Sequence, residues 1–246
     1  MKLTLAAPTY LKESISIISD LVNEARFKVN KDAVELVAMD PANVAMVIFK
    51  LLSSCFTEYD VKEETQIAIN LGNLKQILRR ASSNDMLSLE LTDDNKLSIR
   101  LKGSTTRTFN LPIIELEEKE QKIPDLKFPV SVTMPSSTLT NVIEDADIVA
   151  ESVTFEVEKG KFTVHAIGDL SQAKIEVKAG DDVKIEADER VKAKYSIEYL
   201  KKMIGGSKLS ENAEIRFNRD YPLKLDFKVV DKLLLSFILA PRVEND

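Results

Sequence analysis

The most constraining feature of this chain is an internal repeat whose period is close to half of its 246 residues. An apolar stripe with the spacing of one helix face appears near the start and again 128 residues later. The first stripe consists of Leu11, Ile15, Ile18 and Val22, and the second of Leu139, Ile143 and Ala146. The offset stays at 128 as far as Ala38 and Ala166, and it is 126 from Leu74 and Leu200 onward. A register kept over several elements indicates a duplicated domain.

The strands of both halves are predicted from the alternation of apolar and polar residues, which places one side of each strand on a core. The alternating stretches are Phe27–Ala38, Leu87–Leu101, Val153–Ala166 and Ile215–Phe227. The predicted fold class is therefore α+β, with two similar domains that each contain an antiparallel sheet and two helices. The predicted domains are residues 1–116 and 128–246. They are joined by an acidic connector at 117–127, in which Pro124 disfavours a central strand.

The residue inventory offers little for catalysis. The single histidine, His165, falls on the polar side of a predicted strand, and the single cysteine, Cys55, is predicted to be a small buried hydrophobic residue. The acidic pairs at 93–94 and 181–182 fall in predicted turns. These observations predict no enzyme activity, no metal site and no cofactor. The chain has neither the apolar core of a signal peptide nor a run of about 18 apolar residues. It is therefore expected in the cytoplasm, with no membrane contact.

Charge is spread unevenly over the four predicted helices, although the whole chain carries a formal net charge of −6. The basic residues are Lys75, Arg79 and Arg80 on the second helix (Leu71–Ala81), and Lys201, Lys202 and Lys208 on the fourth (Tyr195–Lys208). The third helix, Ser136–Ala150, carries only acidic charges. Because the two basic helices hold equivalent places in the repeat, a symmetric assembly would gather their charge on one surface. Such a surface attracts duplex DNA without reading its sequence.

Two alternating runs, Thr105–Asn110 and Ser171–Val177, are predicted to be exposed edge strands at equivalent outer positions of the two halves. If one edge of each molecule pairs with the opposite edge of the next, the contact is head-to-tail and closes into a ring or continues as a filament. The predicted contact residues are Thr106, Arg107, Thr108 and Phe109 on one edge, and Ala173, Lys174, Ile175 and Val177 on the other.

The sequence resembles the DNA sliding clamps of the proliferating cell nuclear antigen (PCNA) family, in their archaeal form. The resemblance rests on VELVAMDPANVAMV (Val34–Val47), LGNLKQILRRA (Leu71–Ala81), IPDL in the connector and LAPRVEND at the end. It implies a DNA-clamp fold and a ring of three two-domain subunits around duplex DNA, with helices lining the hole. The implied role is to tether DNA polymerase, ligase, flap endonuclease and clamp loader, whose short motifs insert aromatic side chains into a groove.

The same resemblance assigns residues to two surfaces. The groove is expected to comprise Met39, Asn43, Val44, Met46, Gln121, Ile123, Pro124, Pro222, Ile238, Ala240 and Pro241. The DNA-facing charge carries over to Lys12, Arg79, Lys208 and, approximately, Lys202. The chain departs from the family pattern at Gln76, Asn141 and Glu144, where basic residues are common. Its electrostatic hold on DNA is therefore expected to be weaker or uneven.

Several alternatives stay open. The subunit can belong to a ring of identical chains or to a heterotrimer with sister clamp chains. A scaffold of a different class would use the same groove for protein ligands without DNA passing through it, and the acidic third helix motivates this hypothesis. A hydrolase built on clustered carboxylates such as Asp93 and Asp94 ranks last, because no motif assembles a nucleophile.

Overall fold

A computed structural model describes residues 1–117 and 121–242. Within these ranges the chain forms four α-helices and eighteen β-strands. Part of the predicted connector (Glu118, Lys119 and Glu120) and the last four residues of the LAPRVEND ending (Val243–Asp246) lie outside the described residues.

The first repeat contains nine strands and two helices. Their bounds are β1 Lys2–Leu5, α1 Thr9–Ile18, β2 Glu24–Val29, β3 Ala33–Met39, β4 Ala45–Leu52, β5 Glu58–Asp60, β6 Thr65–Asn70, α2 Leu71–Arg79, β7 Met86–Leu91, β8 Lys96–Lys102 and β9 Thr106–Pro112. The strand orders are β5-β1-β7-β8-β9 and β6-β2-β3-β4. The ladders from β1 to β5 and β7, and from β2 to β3 and β6, are antiparallel.

The second repeat has the same sequence of elements. Their bounds are β10 Val130–Pro135, α3 Ser136–Asp147, β11 Ser152–Glu158, β12 Lys161–Ile167, β13 Gln172–Lys178, β14 Lys184–Ala187, β15 Val191–Ser196, α4 Ile197–Met203, β16 Asn212–Phe217, β17 Leu223–Val229 and β18 Leu233–Leu239. The strand orders are β14-β10-β16-β17-β18 and β13-β12-β11-β15. The ladders that β11 forms with β12 and β15 are antiparallel.

The hairpin registers confirm the duplication. In the first repeat, Phe27 faces Leu36 and Leu89 faces Ile99. The matching pairs of the second repeat are Phe155 with Val164, at an offset of 128, and Ile215 with Leu225, at an offset of 126. Equivalent residues are therefore paired in both repeats, at the offset of 128 in one hairpin and of 126 in the other, as the sequence predicts. The α+β fold class with two similar antiparallel halves is confirmed.

The core of the second repeat is aromatic. The ring of Phe155 lies 5.2 Å from Phe162, 5.6 Å from Tyr195 and 6.1 Å from Phe217, measured between centroids. Edge-on and tilted packing at these distances is favourable for aromatic rings. All four side chains are fully buried, so truncating Phe155 to alanine is expected to cost about 3–5 kcal/mol.

The chain divides into two compact units. A short segment of each sequence half, Ala42–Met46 in the first and Val229–Leu235 in the second, belongs to the unit of the other half. Unit 1 comprises Met1–Pro41, Val47–Lys122 and Val229–Leu235. Unit 2 comprises Ala42–Met46, Ile123–Lys228 and the described residues of Ser236–Asp246. The two exchanged segments cross the boundaries drawn from the sequence, so the domains 1–116 and 128–246 and the connector 117–127 stay a prediction.

Three local predictions are wrong. The fourth helix does not begin at Tyr195, which belongs to β15; it begins at Ile197, and its last part, Ile204–Lys208, is a 3-10 helix containing two glycines. Cys55 is half-buried in a 3-10 turn, where its thiol donates to the Lys232 carbonyl at 3.3 Å. The two edge strands are not equivalent, because the repeat offset matches β9 to β18 and β13 to β4.

Candidate functional site

Helix α2 turns its polar side away from the core because its apolar residues share one face. Leu74 and Leu78 are buried, and the Asn70 side chain caps the helix by accepting the Asn73 amide hydrogen at 2.9 Å. Arg79 lies in the last turn, where the helix dipole favours a cation. The local sequence therefore exposes positive charge on this face.

The predicted DNA-facing cations of the first repeat differ in whether a carboxylate of the same chain pairs with them. Lys12 Nζ donates to the Ala81 carbonyl, a neutral acceptor, at 2.8 Å. Lys75 Nζ lies 2.7 Å from Asp20 Oδ1, so a carboxylate of the same chain offsets its charge. Arg79 and Arg80, also predicted to face DNA, are exposed and pair with no carboxylate in the described part of the chain.

In the second repeat, most of the predicted charge is offset in the same way. Lys201 Nζ lies 2.6 Å from Asp147 on α3, and Lys202 Nζ lies 3.0 Å from Glu198 on its own helix. Lys208 is exposed, and no ion pair joins it to any residue in 1–117 or 121–242. The sequence analysis missed the pairs Lys75–Asp20 and Lys201–Asp147 because their members stand 55 and 54 residues apart.

Unit 2 brings together the turn after β3 and the C-terminal segment, both assigned to the groove. Asn43 has φ 57°, a left-handed conformation that asparagine tolerates, and it turns the chain toward β4. The Val44 carbonyl accepts the Ala240 amide hydrogen at 2.9 Å. Met46 and Ile238 are each 7% exposed, so they offer an apolar floor with little open surface.

The remaining residues assigned to the groove differ in exposure. Pro222 and Pro241 of unit 2 are half-buried, whereas Ile123 is 51% exposed and Pro124 is also exposed. Ile123 is thus an apolar side chain left open to solvent beside a proline that restricts the backbone.

The two assigned residues of unit 1 are Met39, half-buried at the end of β3, and Gln121. Gln121 lines a shallow pocket of about 170 Å³ together with Arg26 and Leu116. Arg26 Nη2 donates to the Leu116 carbonyl at 2.6 Å, which holds the start of the connector on the sheet.

The end of the connector is anchored in unit 2 through Phe128. Its ring lies 6.1 Å from Tyr221 in an edge-on arrangement, and the Arg216 guanidinium lies 5.9 Å from its centroid. A cation near an aromatic face is attracted by about 0.5–1 kcal/mol at an exposed site. The connector therefore meets the sheet at Phe128, while Ile123 and Pro124 lie exposed.

The residues assigned to subunit contacts lie on two sheet edges. Strand β9 ends the order of one sheet in the first repeat, and β13 ends the order of one sheet in the second. Phe109 on β9, and Ala173, Ile175 and Val177 on β13, are half-buried at alternating positions. The intervening Thr106, Thr108 and Lys174 are exposed. Among the described strands, β9 and β13 each pair on one side only, and each has a partly apolar side.

Arg107 on β9 is engaged within its own unit. Its Nη2 lies 2.5 Å from Asp85 Oδ2, and its Nη1 donates to the Arg80 carbonyl at 2.9 Å. Asp85 is buried, and a side chain at Gly103 would place its Cβ 2.0 Å from the Asp85 carboxylate. Arg107 therefore shapes the turn before β9 in addition to any role across a subunit contact.

An exposed apolar cluster beside β13 escaped the sequence analysis. Ile148 follows α3, and Ile167 and Leu170 lie at the turn before β13; they are 83%, 74% and 100% exposed. A Cβ at Gly168 would lie 2.1 Å from the Val149 carbonyl, so this turn packs directly on the end of α3. Apolar exposure of this kind marks interaction surfaces. Strand β11 and most of β12 separate Ile148 from the other two residues in sequence, so the three form no visible pattern.

The other chemical candidates are not arranged for catalysis in the described ranges. His165 Nε2 lies 3.8 Å from Glu156 on the neighbouring strand. The acidic pairs at 93–94 and 181–182 lie in a turn and a bend. Between residues 1 and 117 and between 121 and 242, no cluster of three or more histidine, cysteine or acidic residues is placed to hold a metal ion. No helix described there is long and apolar enough to cross a membrane.

Family models match both halves of the chain. The model of the proliferating cell nuclear antigen N-terminal domain matches residues 1–119, and that of the C-terminal domain matches residues 122–242.

Similar full-length proteins are named DNA polymerase sliding clamps. One from Thermococcus fumicolans is 36% identical over 94% of both chains, and one from Nanoarchaeum equitans is 34% identical over 98% of this chain and 99% of its own. Among solved structures, PCNA from Thermococcus kodakaraensis gives a TM-score of 0.92 at 28% identity, covering 98% of this chain and 99% of that one. A PCNA2–PCNA3 complex from Sulfolobus tokodaii gives 0.91 at 27% identity, covering 99% and 100%.

Proposed function

The chain belongs to the proliferating cell nuclear antigen family and functions as a DNA sliding clamp; from that premise we propose that it is one subunit of a three-subunit ring that encloses duplex DNA. The observation that carries the proposal is that β9 in one repeat and β13 in the other each end the strand order of a sheet. Because the two edges are different, pairing β9 of one subunit with β13 of the next is head-to-tail, and such contacts can close into a ring.

The remaining features fit this arrangement. The apolar cluster of Ile148, Ile167 and Leu170 adjoins β13 and adds surface that a neighbouring subunit can bury. The cations Lys12, Arg79, Arg80 and Lys208 lie on or next to the helices that would line the hole. Because enclosure is topological, a modest positive surface is enough, and the loaded ring is expected to tolerate salt.

The ring would act by tethering and break no covalent bond itself. Its proposed partners are DNA polymerase, clamp loader, ligase and flap endonuclease, each carrying a short motif with aromatic side chains. These side chains would enter the groove formed by Asn43, Val44, Ala240 and Pro241, together with Ile123 and Pro124 of the connector. A rigid proline-containing segment beside an apolar floor suits a small hydrophobic plug. A clamp on chromosomal DNA would work in the cytoplasm of an archaeal cell.

The assembly is tested by light scattering of the purified chain, alone and mixed with sister clamp chains of its source. Three times the subunit mass of 27.6 kDa is expected. A trimer of the chain alone indicates a homotrimer, and a trimer only in the mixture indicates a heterotrimer. A monomer under every condition contradicts the proposal.

The enclosure and the groove need separate tests. The protein loaded on circular DNA is expected to stay bound in high salt and to be lost when the circle is cut. Val44→Glu and Pro241→Glu are expected to abolish stimulation of polymerase while leaving the trimer intact, because each puts a charge into an apolar pocket. Full stimulation by both variants would disprove the groove assignment.

A second candidate function is a scaffold that binds proteins through the same groove and never encloses DNA. The observation that favours it is the acidic polar face of α3, where Glu144 and Asp145 are exposed and Asp147 offsets Lys201. Stimulation by the groove without retention on circular DNA would support the scaffold over the clamp.

A further inference from the structure

One open pocket of about 560 Å³ in unit 2 is lined by five cationic side chains, in a protein whose formal net charge is −6. The cations are Arg190, Lys192, Lys194, Arg219 and Arg242. The carboxylates among the described residues of the lining are Glu156 and Asp220. Such a local excess of positive charge, in an acidic protein, favours an anionic ligand.

One of the two carboxylates is already engaged. Glu156 Oε1 accepts hydrogen bonds from Arg190 Nη2 at 2.7 Å and Nε at 3.1 Å. In contrast, Lys192, Arg219 and Arg242 are exposed, and none of them forms an ion pair with another residue of 1–117 or 121–242. These three side chains can therefore meet a ligand without breaking an existing pair.

The pocket lies on the side of its sheet that faces away from the helices. Val191, Ala193 and Tyr195 of β15 are buried, and α4 packs against this strand and β11. Because side chains alternate along a strand, Lys192 and Lys194 point to the opposite side. Duplex DNA in a hole lined by α3 and α4 would not reach this pocket, which disfavours nucleic acid as its occupant.

The pocket continues directly from the proposed groove. Arg242 follows Ala240 and Pro241, and its amide donates to the Lys194 carbonyl at 2.7 Å. Arg219 and Asp220 likewise stand just before Pro222, another residue assigned to the groove. A peptide leaving the groove along the C-terminal segment would enter the pocket.

We propose that this basic pocket binds a short run of aspartate and glutamate residues that flanks the apolar motif in partner peptides. The inference rests on the proposed function of the groove and adds a chemical preference to it. Partners with an acidic flank would be held more tightly than partners with a neutral or basic one. Because the contacts are solvent-exposed ion pairs, the preference should weaken as salt rises.

The test uses short synthetic fluorescein-labelled peptides that share one aliphatic and aromatic motif. Three versions of the flanking residues are compared: Asp and Glu, the matching Asn and Gln, and Lys. Each flank is placed on either side of the motif. Anisotropy titrations with the assembled protein at low salt are expected to show about tenfold tighter binding for the acidic flank than for the amide flank, the sum of about three exposed pairs. The double variant Lys192→Gln/Arg242→Gln should reduce this difference to about twofold, because one of the three pairs, at Arg219, remains. Lys184→Gln, an exposed lysine on β14, should keep the full difference.

The outcomes separate the inference from the function on which it rests. Equal affinity for acidic and amide flanks would overturn the inference while leaving the groove in place. No binding of any peptide by a correctly assembled protein would contradict both. If the double variant keeps the peptide preference but loses affinity for a linear duplex, the pocket serves phosphates and the inference is wrong.

Discussion

Replacing Asp147 by asparagine is expected to strengthen binding to duplex DNA, because it releases Lys201 on the adjacent helix. Lys201 Nζ and Asp147 Oδ2 are 2.6 Å apart, and the two side chains are 48% and 39% exposed. An exposed pair of this kind stabilises a fold by only about 0.2–1 kcal/mol. The variant should therefore melt close to the parent temperature, and a change in DNA binding would not reflect partial unfolding.

The magnitude follows from counterion release. Each lysine that newly neutralises a phosphate adds about 0.9 to the slope of log affinity against log salt. Over a fourfold rise in salt, this increment corresponds to an additional loss of about 3.5-fold in affinity per lysine. The assay is anisotropy of a labelled duplex, titrated with unloaded protein at low and at fourfold higher salt.

The matched control is Asp188→Asn, which removes the same charge at an exposed position after β14, in the bend before β15. It should change neither the affinity nor the slope beyond the small effect of overall charge. Equal affinities and equal slopes for the two variants would refute the assignment of Lys201 to the DNA-facing surface.

Three further predictions concern assembly, packing and the thiol. Ile175→Glu places a charge on the half-buried side of β13 and should convert the trimer to smaller species in light scattering. The control variant Lys184→Glu, on β14, should leave the trimer assembled. An intact Ile175→Glu trimer would exclude β13 from the subunit contact. Gly206→Ala would bring a Cβ within 2.2 Å of the Phe227 ring and should lower stability by about 1–3 kcal/mol in denaturant melts. Gly180→Ala meets nothing within 4 Å and serves as its control; equal midpoints would show that the core absorbs the methyl group. Burial raises the pKa of the Cys55 thiol, so less thiolate is present at a given pH. Alkylation measured by mass spectrometry should be slower than that of free cysteine near pH 8 and should accelerate as pH rises through the higher pKa; faster labelling than free cysteine would contradict this.

The sequence was sufficient for the fold because its signals are local and occur twice. Apolar alternation placed the β2–β3 and β11–β12 hairpins, and the offset carried Phe27 onto Phe155 and Leu36 onto Val164. The partners of the lysines could not be predicted, because Lys75 and Lys201 meet carboxylates more than fifty residues away. Their pairing depends on how α1 packs on α2 and α3 on α4.

The basic pocket was missed for the same reason. Arg190, Lys192, Arg219 and Arg242 come from three separate segments that only the folded chain brings together. Each is an ordinary surface charge in the sequence. The equivalence of β9 and β13 failed for a different reason: both are alternating runs, and alternation identifies a strand without fixing its place in a sheet.

These observations indicate how the proposed ring divides its work between charge and enclosure. Pairs such as Lys75–Asp20 and Lys201–Asp147 lower the attraction for phosphate on the helix surface, which favours sliding over fixed binding. Restoring one lysine adds a loss of about 3.5-fold in DNA affinity over a fourfold rise in salt. Opening one subunit contact removes enclosure altogether. Damage to the β9 or β13 edge should therefore reduce retention on circular DNA far more than the loss of any single helix cation.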